Sequence, residues 1–454
     1  MAARNALDRH LALVGFMGAG KSTLGPQLAA RLGRDFVELD AVVEKRAGMT
    51  ISELFAADGE ARFRQLEEEA ALDVLAARTP AVIELGGGAL GSERTRSELR
   101  DGAFTLHLDV SAEDAWARVA GSARPLARDP EAFRVLHAER QALYADADAV
   151  ATDLDGAVLA AAGIRFGDGF EVGGDAVVAD AGLAAVNPSL DAAHVVSAKS
   201  LAEAERLWST LALERSSSLV AVGGGTTTDL VGFVAATYMR GIDWIAVPST
   251  LVGQVDAAIG GKTGIDLAGK NLVGAFHWPA ETVIDVSLLD TLPEAEVRNG
   301  MAEVVKTGLL AGEELWELDS REQVRRCAAY KAAVCLRDPR ERGDRAQLNL
   351  GHTFAHALET ASGYSVSHGH AVALGLLAAL RLSELEDEAE MVDGVLAPAP
   401  VAVDRDIAWE ALQRDKKVRD GRVNLVLLAA PGAPRITDEL EPERVRAALD
   451  ALIA

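Results

Sequence analysis

The sequence predicts an α/β protein in two parts: a parallel sheet with helices on both faces, then an α/β lobe followed by a mainly α-helical lobe. Three patterns predict it. Short apolar runs alternate with helical periodicity over residues 11–160: Leu11–Gly15 reads as a strand, Lys21–Leu32 as a helix, Ala81–Leu85 and Thr105–Leu108 as further strands. The alternation lapses in the Gly-rich, acidic FGDGFEVGGD around Arg165–Asp175, then resumes from His194 to about Asp285. After Pro293, Ala/Leu/Glu/Arg-rich helical patterns dominate to about Glu390, and the Pro-rich Ala397–Val403 precedes a short mixed terminus. These shifts set segments at 1–163, a linker over 164–175, then 176–292 and 293–454.

The 454 residues are 49% apolar, enough for two or three cores. The formal net charge of −24 excludes nucleic acid and anionic membranes as expected partners. No run of 18 apolar residues predicts a membrane span, and the first residues lack a signal pattern. Cys327 and Cys335, eight apart on a predicted helix, form neither a disulfide framework nor a metal knuckle. A cytoplasmic location is the expectation.

Gly15-Phe-Met-Gly-Ala-Gly-Lys-Ser-Thr23 follows an apolar strand and opens a helix, the context of a P-loop. Its glycines let backbone N–H groups curl around phosphate, and the helix N-terminus adds its dipole. Gly18, Ala19, Gly20, Lys21, Ser22 and Thr23 are thus expected at ATP, with Lys21 on the β/γ-phosphates and Ser22 on Mg²⁺.

FVELDAVVE (Phe36–Glu44), GEARFRQLEEE (Gly59–Glu69), LGGGAL (Leu85–Leu90) and SARPLARD (Ser122–Asp129) follow in order. With them the first 160 or so residues resemble shikimate kinase. The resemblance implies that Asp40 and Arg64 grip the shikimate hydroxyls and carboxylate, and that Gly86, Gly87 and Gly88 bring backbone against the ring. Arg140 adds a carboxylate contact, Arg124 in a lid stabilises the transferring phosphoryl group, and Arg118 stacks on adenine. An arginine pair suits a small carboxylate, and Asp40 is placed to orient or deprotonate the attacking hydroxyl. The family's Asp-x-Asp is here Glu38-Leu-Asp40, so the carboxylate expected to support Mg²⁺ through water is one methylene longer.

Val220–Asp229 runs from an apolar strand through a triple glycine into a helix. Alone, it fits a pyrophosphate cradle and a tight strand-to-helix turn equally well. The block Met239–Pro279, with NGMAEVVKTG (Asn299–Gly308), QLNLGHTFAHALE (Gln347–Glu359), SHGHAVALG (Ser367–Gly375) and RDKKV (Arg414–Val418), resembles 3-dehydroquinate synthase over roughly residues 195–450. Four of the nine histidines fall within His352–His370, a density that suggests a metal or acid–base role.

By that resemblance Glu303, His352 and His368 hold a divalent ion, Zn²⁺ or Co²⁺, with His356 on the same helical face in substrate binding or proton relay. NAD⁺ is implied at Lys199, Gly225, Thr226, Thr227, Thr228, Asp229, Ser249, Thr250, Asp256, Lys262 and Lys270. Substrate is implied at Asp256, Lys262, Asn271, Lys306, Lys331, Arg345, Asn349, His356 and Lys416 or Lys417, with Arg240 reaching its phosphate, in trans if the chain dimerises. A homodimer through this half is expected.

Two departures matter. The acidic residue of the family's Asp-Gly-Glu segment is missing from Val195–Glu203, which keeps only Lys199. His370 stands where the family has glutamate, and is expected to tune the ion or add a ligand. A polyol dehydrogenase, another sugar-phosphate cyclase and a catalytically silent assembly module are the rival readings.

Overall fold

The computed structural model describes residues 5–121, 128–169, 171–187, 190–267, 272–414, 418–419 and 422–454. The chain divides into two compact units, Ala2–Arg165 and Phe166–Ala454.

In the first unit five strands form a parallel sheet: β1 (His10–Val14), β2 (Phe36–Glu38), β3 (Val82–Glu84), β4 (Ala103–Leu108) and β5 (Ala149–Ala151), in the order β2-β3-β1-β4-β5. The central strand β1 is buried at every residue, as a strand covered on both faces must be. Glycine sets the exit of β1. Gly18 has φ +84, and a Cβ there would sit 2.8 Å from the Ala115 carbonyl oxygen. Gly20 caps the helix Lys21–Leu32 in the left-handed region, at φ 93. The loop therefore ends with backbone N–H groups gathered at the C-terminal edge of the sheet, where α/β folds place ligands.

A six-stranded sheet follows: β6 (Ile164–Gly167), which spans the unit boundary, then, in the second unit, β7 (Ala176–Asp180), β8 (His194–Val196), β9 (Ser218–Gly223), β10 (Asp243–Pro248) and β13 (Glu281–Asp285), in the order β6-β13-β10-β9-β7-β8. A hairpin of β11 (Lys262–Ile265) and β12 (Val273–Phe276) lies between β10 and β13 in the chain. The stretch read as a linker over 164–175 thus opens as strand, because its Ile-Arg-Phe-Gly start has a buried first and last residue. The short region ahead of β9 still supplies two strands, β7 and β8, which pair in parallel.

The helical lobe follows. Helices Glu294–Ala311, Ser320–Arg337, His352–Ala361 and His368–Leu382 pack around a core that includes Val305, Leu309, Phe354, Leu358, Val372 and Leu376. Two helices approach so closely that a Cβ on Gly375 would lie 2.1 Å from the Gly351 carbonyl oxygen. That contact packs the start of the helix that His352 opens against the middle of the helix that His368 opens. Gly375→Ala is expected to cost about 1–3 kcal/mol through overpacking, read as a lower urea midpoint for the second unit. A midpoint equal to wild type would contradict this close approach.

Candidate active sites

In the first unit Lys21 is buried, and its Nζ donates to the carbonyls of Gly15 (2.8 Å) and Phe16 (3.2 Å). Arg118 donates to the Gly18 carbonyl at 2.9 Å. Ser22 donates to Glu84 Oε1 at 2.8 Å. Glu84 ends β3, and burial pushes its carboxyl up, partly offset by the Ser22 hydrogen bond and Lys21. The loop and its flanks therefore bring Gly18 through Thr23 and Arg118 together. Arg124 lies outside the described residues.

Beside the loop a cavity of about 600 Å³ is lined by Arg64, Glu60, Glu67, Gly88, Ser92 and Arg140. Arg64 pairs with Glu67 at 2.6 Å and Glu60 at 3.1 Å. The glycines leave room for these side-chain ends: a Cβ on Gly88 would lie 2.3 Å from Arg64 Nη1, and one on Gly86 2.4 Å from Glu67 Oε1 and 3.1 Å from Asp40 Oδ1, so either would displace the charged group from its present position. Arg140 and the Tyr144 hydroxyl both donate to the Gly87 carbonyl. Burial pushes the Glu67 carboxyl up, against the pull of Arg64. Two guanidinium groups backed by a buried acid suit a small carboxylate.

In the second unit a cavity of about 800 Å³ runs between the α/β and helical lobes. At one end lie Asp180, Gly224, Gly225, Thr226, Ser249 and Thr250, around the turn that leaves β9. Lys199 enters from beyond β8 and pairs with Asp229 at 2.8 Å. Burial pushes Asp229 up, and Lys199 offsets part of it.

At the other end three helices converge. Glu303 Oε1 lies 3.1 Å from His368 Nε2 and 3.3 Å from His352 Nε2, and the three donor atoms fall within 4.8 Å of one another. Donors around a tetrahedral ion with bonds of about 2.0–2.2 Å are about 3.3–3.6 Å apart, so the set fits a divalent ion. His352 and His368 are each the first residue of their helix, and their rings are fixed from behind. His352 Nδ1 contacts the Leu350 carbonyl at 3.1 Å, and His368 Nδ1 contacts Glu359 Oε1 at 3.0 Å. Burial and Lys306 hold His352 down at about 4. Burial opposes protonation of His368 too, yet Glu303 and Glu359 raise it to about 9. The carboxylates around His368 thus favour a positive charge there, as an ion would supply.

Lys306, one turn after Glu303, pairs with it and reaches Asp256 at 3.3 Å. Lys331 reaches the same Asp256 oxygen at 2.7 Å. Asp256 sits on a π-helical turn, Gly253–Ala257, a local widening often found at functional sites. Burial would push Asp256 up, but Lys306 and Lys331 hold it at about 2. Lys262 pairs with Glu341 at 2.7 Å; burial and the neighbouring Arg345 and Lys331 lower its pKa against Glu341. Arg345, Asn349 and His356 complete the wall.

Several expectations need correction. Thr227 and Thr228 are buried inside the helix Gly225–Thr237 and do not line the cavity, because the helix presents Gly225, Thr226 and Asp229 on that face and turns the two residues between them away. Arg240, expected to reach the phosphate in trans if the chain dimerises, is exposed at φ 67 and does not line the cavity of its own chain. His370 turns away, its Nε2 bonded to the Ala399 carbonyl at 2.7 Å. It neither joins nor backs the three donors; the carboxylate behind the set is Glu359, a turn of helix away in sequence from His356. Lys270, Asn271, Lys416 and Lys417 lie outside the described residues. Sequence reasoning missed Asp180, Glu359, Glu341, Glu67 and Glu84. Glu359 and Glu67 had a usable signal, since both fall inside the motifs already singled out.

Residues 17–162 match the shikimate kinase family, 191–299 the 3-dehydroquinate synthase N-terminal family and 300–418 its C-terminal family. The chain is 41% identical over 288 residues to 3-dehydroquinate synthase of Symbiobacterium thermophilum, covering 56% of this chain and 79% of that protein. It is 44% identical over 268 residues to that of Synechococcus sp. strain CC9605, covering 53% and 72%. The fold resembles that of 2-epi-5-epi-valiolone synthase from Streptomyces hygroscopicus subsp. jinggangensis 5008, solved with NAD⁺ and Zn²⁺ bound (TM-score 0.55, 24% identity, 64% of this chain and 91% of that one).

Fold and sites together define two enzymes in one chain, a P-loop kinase and a lyase with a Glu-His-His centre. The chain belongs to the 3-dehydroquinate synthase family and carries a shikimate kinase domain ahead of it, which makes it a bifunctional shikimate-pathway enzyme.

Removing the carboxylate behind His368 should loosen the ion. Glu359→Gln is expected to weaken zinc affinity about 10–100-fold in a chelator competition, whereas His370→Ala should leave it unchanged. Equal affinities in all three proteins would refute the assignment of Glu359.

Proposed function

We propose that the first unit transfers the γ-phosphoryl group of Mg·ATP to a shikimate hydroxyl, giving shikimate 3-phosphate. The second unit converts 3-deoxy-D-arabino-heptulosonate 7-phosphate to 3-dehydroquinate and phosphate, using NAD⁺ and one divalent ion, Zn²⁺ or Co²⁺. The observation that carries the second reading is the convergence of Glu303, His352 and His368 at the wall of a cavity that also holds a glycine turn and five basic side chains.

In the kinase, phosphoryl transfer needs positioning and charge neutralisation more than covalent help. Lys21 on the loop and Arg118 beside it supply cationic charge, while Arg64 and Arg140 hold the acceptor's carboxylate. Asp40, near Gly86, orients the hydroxyl.

In the synthase, Glu303, His352 and His368 would hold the divalent ion and the glycine turn after β9 would hold NAD⁺; together the two groups would supply Lewis-acid and reversible hydride-transfer chemistry. The chain's own residues bind and steer. Lys331, Arg345 and Asn349 form the anion-binding wall, and Lys306 holds Asp256 and Glu303 in register. Glu341, paired with Lys262, and His356, beside His352, are the groups that move protons. Ser249, Thr250 and Asp229, with Lys199, line the dinucleotide end. Asp180 supplies an acid there, although the family's acidic residue is absent beside Lys199.

Purified protein with NAD⁺ and Zn²⁺ or Co²⁺ should release phosphate from the heptulosonate 7-phosphate, and with Mg·ATP should phosphorylate shikimate. Lys21→Ala should lower shikimate phosphorylation at least 10³-fold and leave phosphate release intact. No release from the metal- and NAD-saturated wild type would remove the synthase reading.

The chain acts on small molecules in the cytoplasm, as a homodimer in which Arg240 reaches the partner's substrate phosphate. Exposed Met239 and Arg240, adjacent and both left-handed, support a role for this corner at an interface. Sedimentation should give twice the 47.7 kDa chain mass; a 47.7 kDa species at micromolar concentration would reject the dimer.

A further inference from the structure

The P-loop serine has a partner that the shikimate-kinase resemblance did not supply. Glu84 ends β3, the strand that lies directly beside β1 and its phosphate loop. In register, Glu84 faces Leu13 on one side and Glu38 on the other. Glu38, the acid expected at Mg²⁺, is one strand further out, about 4.8 Å in the pairing direction, and its side chain is exposed.

The local geometry favours Glu84. Its Oε1 accepts from the Ser22 hydroxyl at 2.8 Å. Two oxygens on adjacent corners of an octahedral Mg²⁺ shell, with bonds of about 2.0–2.1 Å, are about 2.9 Å apart. The Ser22–Glu84 pair already has nearly that separation. The second carboxylate oxygen, Oε2, is buried and has no hydrogen-bond partner among the described residues. Ser22 itself is exposed, so the pair opens toward the loop's ligand side. In P-loop enzymes generally, the loop serine shares its ion with an acid at the end of a neighbouring strand.

We propose that Glu84, not Glu38, is the carboxylate that anchors the divalent cation of the kinase half, beside Ser22 and with the nucleoside phosphates. It holds the ion directly or through one of its waters, and so is a positioning residue for phosphoryl transfer. The proposal rests on the reading of the loop as a site for a metal nucleotide.

The test is Mn²⁺ titration followed by electron paramagnetic resonance, on the full chain with ADP, for wild type, Glu84→Gln and Glu38→Gln. Binding of Mn²⁺ at the synthase centre is prevented by first filling it with Zn²⁺ and removing the excess. ADP affinity is measured in parallel without divalent ion. Glu84→Gln is expected to raise the Mn²⁺·ADP dissociation constant about 10–100-fold at unchanged metal-free ADP affinity, with Glu38→Gln within about threefold of wild type. A loss confined to Glu38→Gln, or none in either variant, overturns the proposal. Should wild type bind ADP neither with nor without metal, the nucleotide reading itself fails and the proposal with it. If Glu84→Gln does not fold, Glu84→Asp is read in its place. Its shorter carboxylate should weaken Mn²⁺ alone, and an affinity equal to wild type overturns the assignment.

Discussion

The second unit is organised around a chain of buried opposite charges: Glu303, Lys306, Asp256 and Lys331. Glu303 is fully buried and the Lys306 side chain is 2% exposed. A lone ion at such a depth would cost several kcal/mol, so each charge is tolerable only because the next is in contact with it. The chain has a structural consequence. Glu303 and Lys306 share one helix, Asp256 comes from the π-helical turn of the α/β lobe, and Lys331 comes from the helix Ser320–Arg337. Electrostatic neutrality therefore ties the two lobes of the synthase together across its cavity, and fixes the carboxylate on which both histidines converge.

The same chain answers the problem posed by the net charge. A protein at −24 repels anionic substrates at long range. Within a Debye length of the cavity floor, about 8–10 Å, the relevant field comes from Lys262, Lys306, Lys331 and Arg345, with Asp256 and Glu341 as their local partners. The acids keep these bases charged and aimed while buried, and a substrate's phosphate and carboxylate compete for the same donors. In the kinase half Glu60 and Glu67 play that part for Arg64. The acidic surface and the basic pockets are compatible because screening separates their length scales.

What could be read from sequence follows from this arrangement. The P-loop was legible because strand, glycines and helix are contiguous, so local chemistry dictates the shape. The Glu-His-His centre was legible only through motif resemblance, since its donors come from three helices up to 65 residues apart. The supporting acids were harder. Glu359 and Glu67 sit inside runs of similar character, where composition cannot say which carboxylate turns inward. His370 shows the reverse difficulty: it is two residues from a metal donor, yet a helix rotates about 100° per residue, which carries it to the far side and to the Ala399 carbonyl. Thr227 and Thr228 were misread for the same reason, being one and two steps past the face that meets the cavity.

The two halves meet anions with one device, a glycine turn at the C-terminal end of a parallel strand, and diverge in what completes it. After β1 the turn keeps Lys21 within the loop itself, suited to the dense charge of a triphosphate. After β9 the turn Gly223–Gly225 carries no lysine, and Lys199, which lines this end of the cavity, comes from a separate strand end and is already paired with Asp229. A diester pyrophosphate bears less charge than a triphosphate and is not cleaved, so backbone N–H groups and a helix N-terminus can hold it without a loop cation. The basic residues of the second unit gather instead at the opposite end of the cavity, around the ion. There the buried charge chain maintains cationic side chains that an open loop could not keep in place.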